Sequence, residues 1–273
     1  MGNARLAAVF SQLRQRGEAA FVPFLVIGDP DIPTTLELTQ ALVDGGADIL
    51  EFGFPFSDPP ADGPVIQAAD LRALKAGTTP PACFDLLAAV RARHDHPIAL
   101  LLYFNLLLQY EGGVDGFFAR AAAVGVDAIL VADVPLDESD ELVAAGAAHD
   151  VAVVFIGGTF SSDERLQAIG AKGTGYLYAV ARIGTTGEQT GVDPQLAATI
   201  ARLREHTGLP VMVGFGISTP QDAAAVTAAG ADGVIVGSAI VRRIQEHQSD
   251  PARAAAEVQR FTEAMKNATG RQE

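Results

Sequence analysis

Asp44-Gly45-Gly46-Ala47-Asp48, Ala123-Val124-Gly125-Val126-Asp127 and Ala229-Gly230-Ala231-Asp232 repeat one phrase: a glycine, a small or apolar residue, then an aspartate that opens an apolar run. Each phrase follows a stretch with apolar residues at helical spacing. Glycine in that place ends a helix with positive φ, and the short run after it reads as a strand. Gly170, just past another helical pattern, is expected in the same helix-ending role.

Outward from these phrases, runs rich in Val, Ile, Leu and Phe recur at residues 21–27, 48–54, 98–104, 127–132, 151–156, 175–180, 211–215 and 233–236. Amphipathic helical patterns lie between or after them, at 35–44, 81–93, 114–124, 138–149, 162–169, 194–206, 220–229 and 252–266. Most of the runs are apolar on both faces, as in a parallel sheet covered by helices. Eight such pairs predict a (β/α)8 TIM barrel formed by residues 1–273 as a single domain, with residues 5–16 as an extra N-terminal helix closing its bottom. The alternative, an open doubly wound sheet, would more often carry an early dinucleotide glycine loop, and none follows Ile27.

With 49% hydrophobic and 19% charged residues the composition is globular. Nineteen Lys and Arg stand against 33 Asp and Glu, a net charge of −14, and no basic stripe is present. Nucleic acid and anionic membranes are poor partners for such a surface. An anionic metabolite would have to be held by backbone amides and helix N-termini. The N-terminal stretch lacks the apolar core of a signal peptide, no run reaches the length of a membrane span, and the single cysteine suits a reducing compartment. A cytoplasmic location is expected. Cys83 itself falls on an amphipathic helix and reads as core.

In a barrel of this kind the chemistry sits at the C-terminal ends of the strands. Glu51 is a carboxylate inside the apolar run Asp48-Ile49-Leu50-Glu51-Phe52-Gly53-Phe54. Burying it unpaired is costly, and desolvation raises its pKa into the range useful for proton transfer. Asp62 follows in a Pro- and Gly-rich loop, where it could be a second catalytic carboxylate or the N-cap of a helix starting at Pro64. The histidines fall at helix ends or in the turns after them, away from that face, and with the carboxylates they form no ligand set, so no metal is expected. Gly184-Thr185-Thr186-Gly187, Gly214-Phe215-Gly216-Ile217-Ser218 and Gly237-Ser238 follow the last three strands and read as a phosphate cradle.

These residues carry a resemblance. Phe21-Val22-Pro23-Phe24 with Gly28-Asp29-Pro30, Leu50-Glu51-Phe52-Gly53, Pro55-Phe56-Ser57-Asp58-Pro59 through Ala61-Asp62-Gly63-Pro64, Val131-Ala132-Asp133-Val134-Pro135, Gly214-Phe215-Gly216-Ile217-Ser218 and Gly237-Ser238-Ala239-Ile240-Val241 occur in the order found in the tryptophan synthase alpha subunit family. The chain resembles that family over residues 21–266.

The resemblance implies reversible retro-aldol cleavage of indole-3-glycerol phosphate to indole and glyceraldehyde 3-phosphate. By it, Glu51 is the acid and base, Asp62 holds the indole N–H, and Tyr178 supports the catalytic groups. Gly187, Gly216, Gly237 and Ser238 hold the phosphate, while Phe24, Leu101, Tyr103, Leu130 and Ile156 wall the indole pocket. Arg182 and Thr186 lie on a closing loop, with Thr186 meeting Asp62 when closed. The resemblance also implies no cofactor in this chain and a beta subunit partner that carries pyridoxal phosphate, in an alpha2beta2 assembly with residues 54–60 at the interface. Three departures stand out: Pro60 where the family usually has Leu, Gly157-Gly158-Thr159 after the fifth strand, and Ala181 in place of Ser before Arg182. Pro60 bears on partner coupling and leaves a stand-alone indole-releasing lyase as an alternative. A non-catalytic phosphate-binding barrel is a third reading, disfavoured by the two carboxylates.

Overall fold

In the computed structural model, which describes residues 2–180, 194–214 and 216–270, the predicted barrel is closed. Its strands are β1 (Ala20–Val26), β2 (Leu50–Gly53), β3 (Ile98–Leu102), β4 (Ala128–Val131), β5 (Ala152–Gly158), β6 (Leu177–Val180), β7 (Val211–Val213) and β8 (Gly233–Val236). They pair in chain order, all parallel, and β8 returns to β1 with Val22 beside Ile235. The helices are α1 (Gly2–Gln15), α2 (Ile32–Asp44), α3 (Pro64–Lys75), α4 (Pro80–Arg91), α5 (Phe104–Leu108), α6 (Gly113–Ala123), α7 (Asp140–His149), α8 (Asp163–Lys172), α9 (Pro194–Thr207), α10 (Pro220–Ala228), α11 (Ser238–Glu246) and α12 (Pro251–Asn267).

Strand alternation divides the core into two layers. Ala20 and Val22 of β1 belong to the cluster inside the barrel, with Ala99, Leu130, Val154, Met212 and Ile235. Phe21 and Leu25 belong to the layer between sheet and helices, with Phe52, Leu100 and Val213. Leu6, Phe10 and Leu13 of α1 join the inner cluster, and Phe10 meets Tyr176 edge to face at 6.4 Å, so the N-terminal helix does close one end of the barrel.

The repeated phrase has a physical cause. Asp48 Oδ2 accepts the Phe21 N–H at 2.8 Å, Asp127 Oδ2 accepts that of Ile98 at 2.8 Å, and Asp232 Oδ2 accepts that of Val211 at 2.9 Å. Each aspartate thus binds the backbone of the strand before its own and pairs with a cation: Lys266, Arg91 and Arg204 respectively. Gly46, Gly125 and Gly230 take φ of +91°, +83° and +97°, which turns the chain from helix to aspartate.

Three expectations need correction. Gly170 lies inside α8 rather than past its end; a Cβ there would meet Thr207 O at 2.4 Å, so it serves a close contact with α9. Residues 64–75, where the sequence offers a helix only as the alternative that Asp62 would cap, form α3, with Gly63 rather than Asp62 as N-cap and Pro64 in the first turn. Phe104, read as the end of a strand, starts the short helix α5, whose Phe104 N–H is accepted by Asp133 Oδ1 at 2.8 Å.

Candidate active site

Glu51 sits on the inward face of β2, between Phe24 of β1 and Ala99 of β3 in register. Only 1% of it is exposed, and neither carboxylate oxygen has a hydrogen-bond partner among the described residues. Burial, and then the negative charge of Asp62, pushes its pKa up to about 8. At neutral pH this carboxyl carries its proton.

Asp62 precedes α3 but does not cap it; the cap is Gly63, without a side-chain bond. Its Oδ2 instead accepts the Tyr103 hydroxyl at 2.6 Å. Burial raises the Asp62 pKa as well, but the Tyr103 bond opposes that shift by stabilising the ionised form. The Tyr103 ring is stacked on Phe56 at 5.3 Å, with 22° between the planes. One carboxyl is therefore kept neutral, and the other is given a donor that favours its charge.

A cavity of about 330 Å³ opens on both. Phe24, Leu101, Leu130 and Ile156 form apolar walls beside Glu51, Asp62 and Tyr178. Tyr103, expected on that wall, is 2% exposed and does not line the cavity; it stands behind Asp62 and acts on it through the hydroxyl. The Tyr178 hydroxyl donates to Gly214 O at 3.2 Å. A Cβ on Gly214 would lie 2.2 Å from the Tyr178 ring, so glycine is required for the two to approach. Burial and the Glu51 charge raise the Tyr178 pKa, and the phenol stays neutral.

Gly237 and Ser238 line the same cavity where β8 runs into α11, so the N-terminal amides of that helix face it. Gly214, Ile235, Gly237 and Ser238 also line an adjoining cavity that holds Gly216, whose φ is +80°, and Arg242. Gly216 thus belongs to the neighbouring space rather than to the one around Glu51. His247 lines this second cavity too, not the one with the carboxylates. Arg182, Thr186 and Gly187 lie outside the described residues, as does Ala181.

A carboxyl kept neutral beside an apolar slot, a second carboxyl held by a tyrosine hydroxyl and the amides of a helix N-terminus thus share one cavity. The family model of the tryptophan synthase alpha chain matches residues 10–270. The chain belongs to this family. It is 46% identical to the tryptophan synthase alpha chain of Shewanella oneidensis, over 97% of this chain and 95% of the relative. It is also 46% identical to that of Vibrio cholerae, over 97% and 98%. The crystal structure of the alpha chain from Legionella pneumophila superposes with a TM-score of 0.87 at 32% identity, covering 97% of each chain. A chain of Mycobacterium tuberculosis tryptophan synthase does so with 0.86 at 31% identity, covering 98% of this chain and 99% of that one.

Within this alpha chain the departures have definite places. Pro60 is exposed on the loop between β2 and α3. Gly158 pairs with Val180, and a Cβ on it would meet Val180 O at 2.6 Å, so the glycine lets β5 and β6 close. Two polar residues near the site carry no signal in the bare sequence. Arg242 stands four residues past Ser238, hence on its face of α11, but it reads there as an ordinary surface cation. Asp70 is an aspartate in α3, only 4% exposed.

Proposed function

We propose that the Glu51 cavity cleaves indole-3-glycerol phosphate to indole and glyceraldehyde 3-phosphate, with Glu51 as the proton carrier. The observation that carries this reading is the buried, unpaired Glu51 on the wall of an apolar cavity shared with Asp62. The protonated carboxyl gives its proton to C3 of the indole, which makes the ring a cationic leaving group. The carboxylate so formed takes the proton of the side-chain hydroxyl. As that O–H bond breaks, the carbonyl forms, the bond from C3 to the side chain breaks, and its electron pair restores the aromatic ring. Glu51 ends protonated, ready for another turn.

Asp62, ionised, accepts the ring N–H and stabilises the positive charge that C3 protonation places there. Tyr103 holds that carboxylate by its hydrogen bond. Tyr178, fixed on Gly214, fills the wall beside Glu51. The amides at Gly237 and Ser238, with Gly216, hold the phosphate against the acidic net field, and Arg242 and Arg243 of α11 line the adjoining cavity.

The alpha subunit acts with a beta subunit in tryptophan biosynthesis. It needs no cofactor of its own; pyridoxal phosphate serves the beta subunit, to which indole passes within an alpha2beta2 assembly. The β2–α3 loop, with Ser57, Asp58 and Pro60 exposed, is the surface offered to that partner.

Glu51→Gln tests the proton role. Gln keeps the shape but cannot transfer a proton, so kcat for indole release falls by about 10²–10⁴-fold, while substrate affinity measured by calorimetry stays within about threefold because the phosphate and indole contacts lie elsewhere. A loss of affinity as large as the loss of turnover would make Glu51 a binding or structural residue.

A further inference from the structure

Asp133 belongs to the Val131-Ala132-Asp133-Val134-Pro135 motif, which the cleavage scheme leaves without a task. It follows β4, and its Oδ1 accepts the backbone N–H of Phe104 at 2.8 Å. One residue earlier, the Ala132 N–H donates to Leu102 O at 2.9 Å. Two consecutive residues after β4 therefore hold the backbone on both sides of Tyr103, whose hydroxyl donates to Asp62 Oδ2 at 2.6 Å. Tyr103 is also the N-cap of α5 and gives that helix no side-chain bond. The Phe104 N–H, a donor that a helix start leaves without an internal acceptor, is taken by Asp133 instead.

We infer that Asp133 is a positioning residue for Tyr103: by accepting the Phe104 N–H it fixes the backbone from which the phenol reaches Asp62, a role that rests on the function given to Asp62 above.

The geometry shows why the bond matters. The hydroxyl stands at the far end of a long, rigid side chain, so a small rotation of the backbone at Tyr103 is magnified at its oxygen, and a 2.6 Å hydrogen bond tolerates little of that. The stack of the ring on Phe56, at 5.3 Å and 22°, sets the plane of the ring but lets the two faces slide. The backbone anchor is what opposes sliding. At the other end of the barrel Asp48, Asp127 and Asp232 likewise accept backbone N–H groups of the strand before their own, each beside a cation. Asp133 has no ion-pair partner among the described residues, so the accepting oxygen is its contribution. An amide reproduces that oxygen; a hydrocarbon does not. Asp133 is exposed, so substitution costs the fold little.

The test compares Asp133→Asn, Asp133→Ala and Asp133→Leu, each alone and in the Tyr103→Phe background, in the full chain without added partner. Chains labelled with 3-fluorotyrosine carry four reporters, and the Tyr103 resonance is the one absent from Tyr103→Phe. In the alanine variant, or in the leucine variant should alanine not fold, the Tyr103 resonance moves. Its kcat for indole release falls about tenfold with KM changed less than about threefold, because Asp62 acts on charge that develops in the transition state. The asparagine variant keeps both resonance and kcat near wild type. In the Tyr103→Phe background the change at 133 adds less than about twofold, because the phenol it positions no longer reaches Asp62. A Tyr103 resonance indifferent to residue 133, an asparagine variant as impaired as alanine, or losses that multiply with that of Tyr103→Phe would overturn the inference. If wild type releases no indole, the functional reading fails, and the resonance still decides whether Asp133 positions Tyr103.

Discussion

The Tyr103 hydroxyl donates a 2.6 Å hydrogen bond to Oδ2 of Asp62, whereas no described donor reaches either oxygen of Glu51. Two carboxyls on one βα unit are in this way driven apart in proton affinity by what surrounds them. Glu51 keeps its proton, and Asp62 has a donor that favours its loss.

Tyr103→Phe removes that donor. The ionised form of Asp62 is then less favoured and its pKa rises further. The acid limb of kcat, which reports Asp62 losing its proton, moves to higher pH, while the alkaline limb near pH 8 set by Glu51 stays. A hydrogen bond to a charged group contributes about 1.5–3 kcal/mol, so kcat below neutral pH falls about tenfold or more. An acid limb that does not move would separate Tyr103 from Asp62.

Glu51 also links stability to pH. Its folded pKa of about 8 lies above the ordinary 4.5, so between those values the unfolded chain releases a proton that the folded chain retains. The protonated carboxyl's contribution is complete below pH 4.5 and is lost as pH rises towards 8. Glu51→Gln carries no such proton. In urea unfolding the variant gains on wild type by about 1.4 kcal/mol per pH unit at most across that window, and the gap stops growing above it. A gap independent of pH would contradict the assigned protonation.

Asp127 anchors the start of the fourth strand. Its side chain is fully buried, accepts the Ile98 N–H and pairs with Arg91 at 2.9 Å and with Arg5. Asp127→Ala leaves two cations and a strand amide without it, at a cost of about 3–5 kcal/mol, visible as a lower urea midpoint with unchanged slope. Asp127→Asn, which can still accept the Ile98 N–H, loses less. Equal losses would assign the stabilisation to charge alone.

Much of the barrel is written in local terms that a linear reading can follow. The Gly-x-Asp phrase shows because glycine has to turn positive at 46, 125 and 230 and because Asp48, Asp127 and Asp232 each bind the strand before. Glu51 shows because a lone charge interrupts a run that is otherwise apolar. By contrast, α3 is only half legible: a helix start at Pro64 is one reading of the loop, but the Pro and Gly before it leave the choice open and its cap is Gly63, not Asp62. The helix α5 is hidden because Phe104 and Leu106 continue the apolar run of β3. Tyr103 looks like a wall residue, since its partner Asp62 lies 41 positions away. Asp70 has no local mark at all; only the packing of α3 under the loop buries it.

Gly214→Ala tests the support of Tyr178. The added methyl falls 2.2 Å from the Tyr178 ring and must displace it or the end of β7. Overpacking of this kind costs about 1–3 kcal/mol, and the shifted ring narrows the slot beside Glu51. KM for indole-3-glycerol phosphate rises and kcat falls together, and Tyr178→Phe in the same chain does not fully restore them, because it removes the hydroxyl contact at 2.3 Å but leaves the ring contact at 2.2 Å. Unchanged kinetics would show that the Tyr178 ring can move without consequence for the site.

Indole release from indole-3-glycerol phosphate, followed with the purified chain alone and with a tryptophan synthase beta subunit added, tests the account most directly. The account predicts slow release by the chain alone and a faster rate with the beta subunit. No indole under either condition would contradict it.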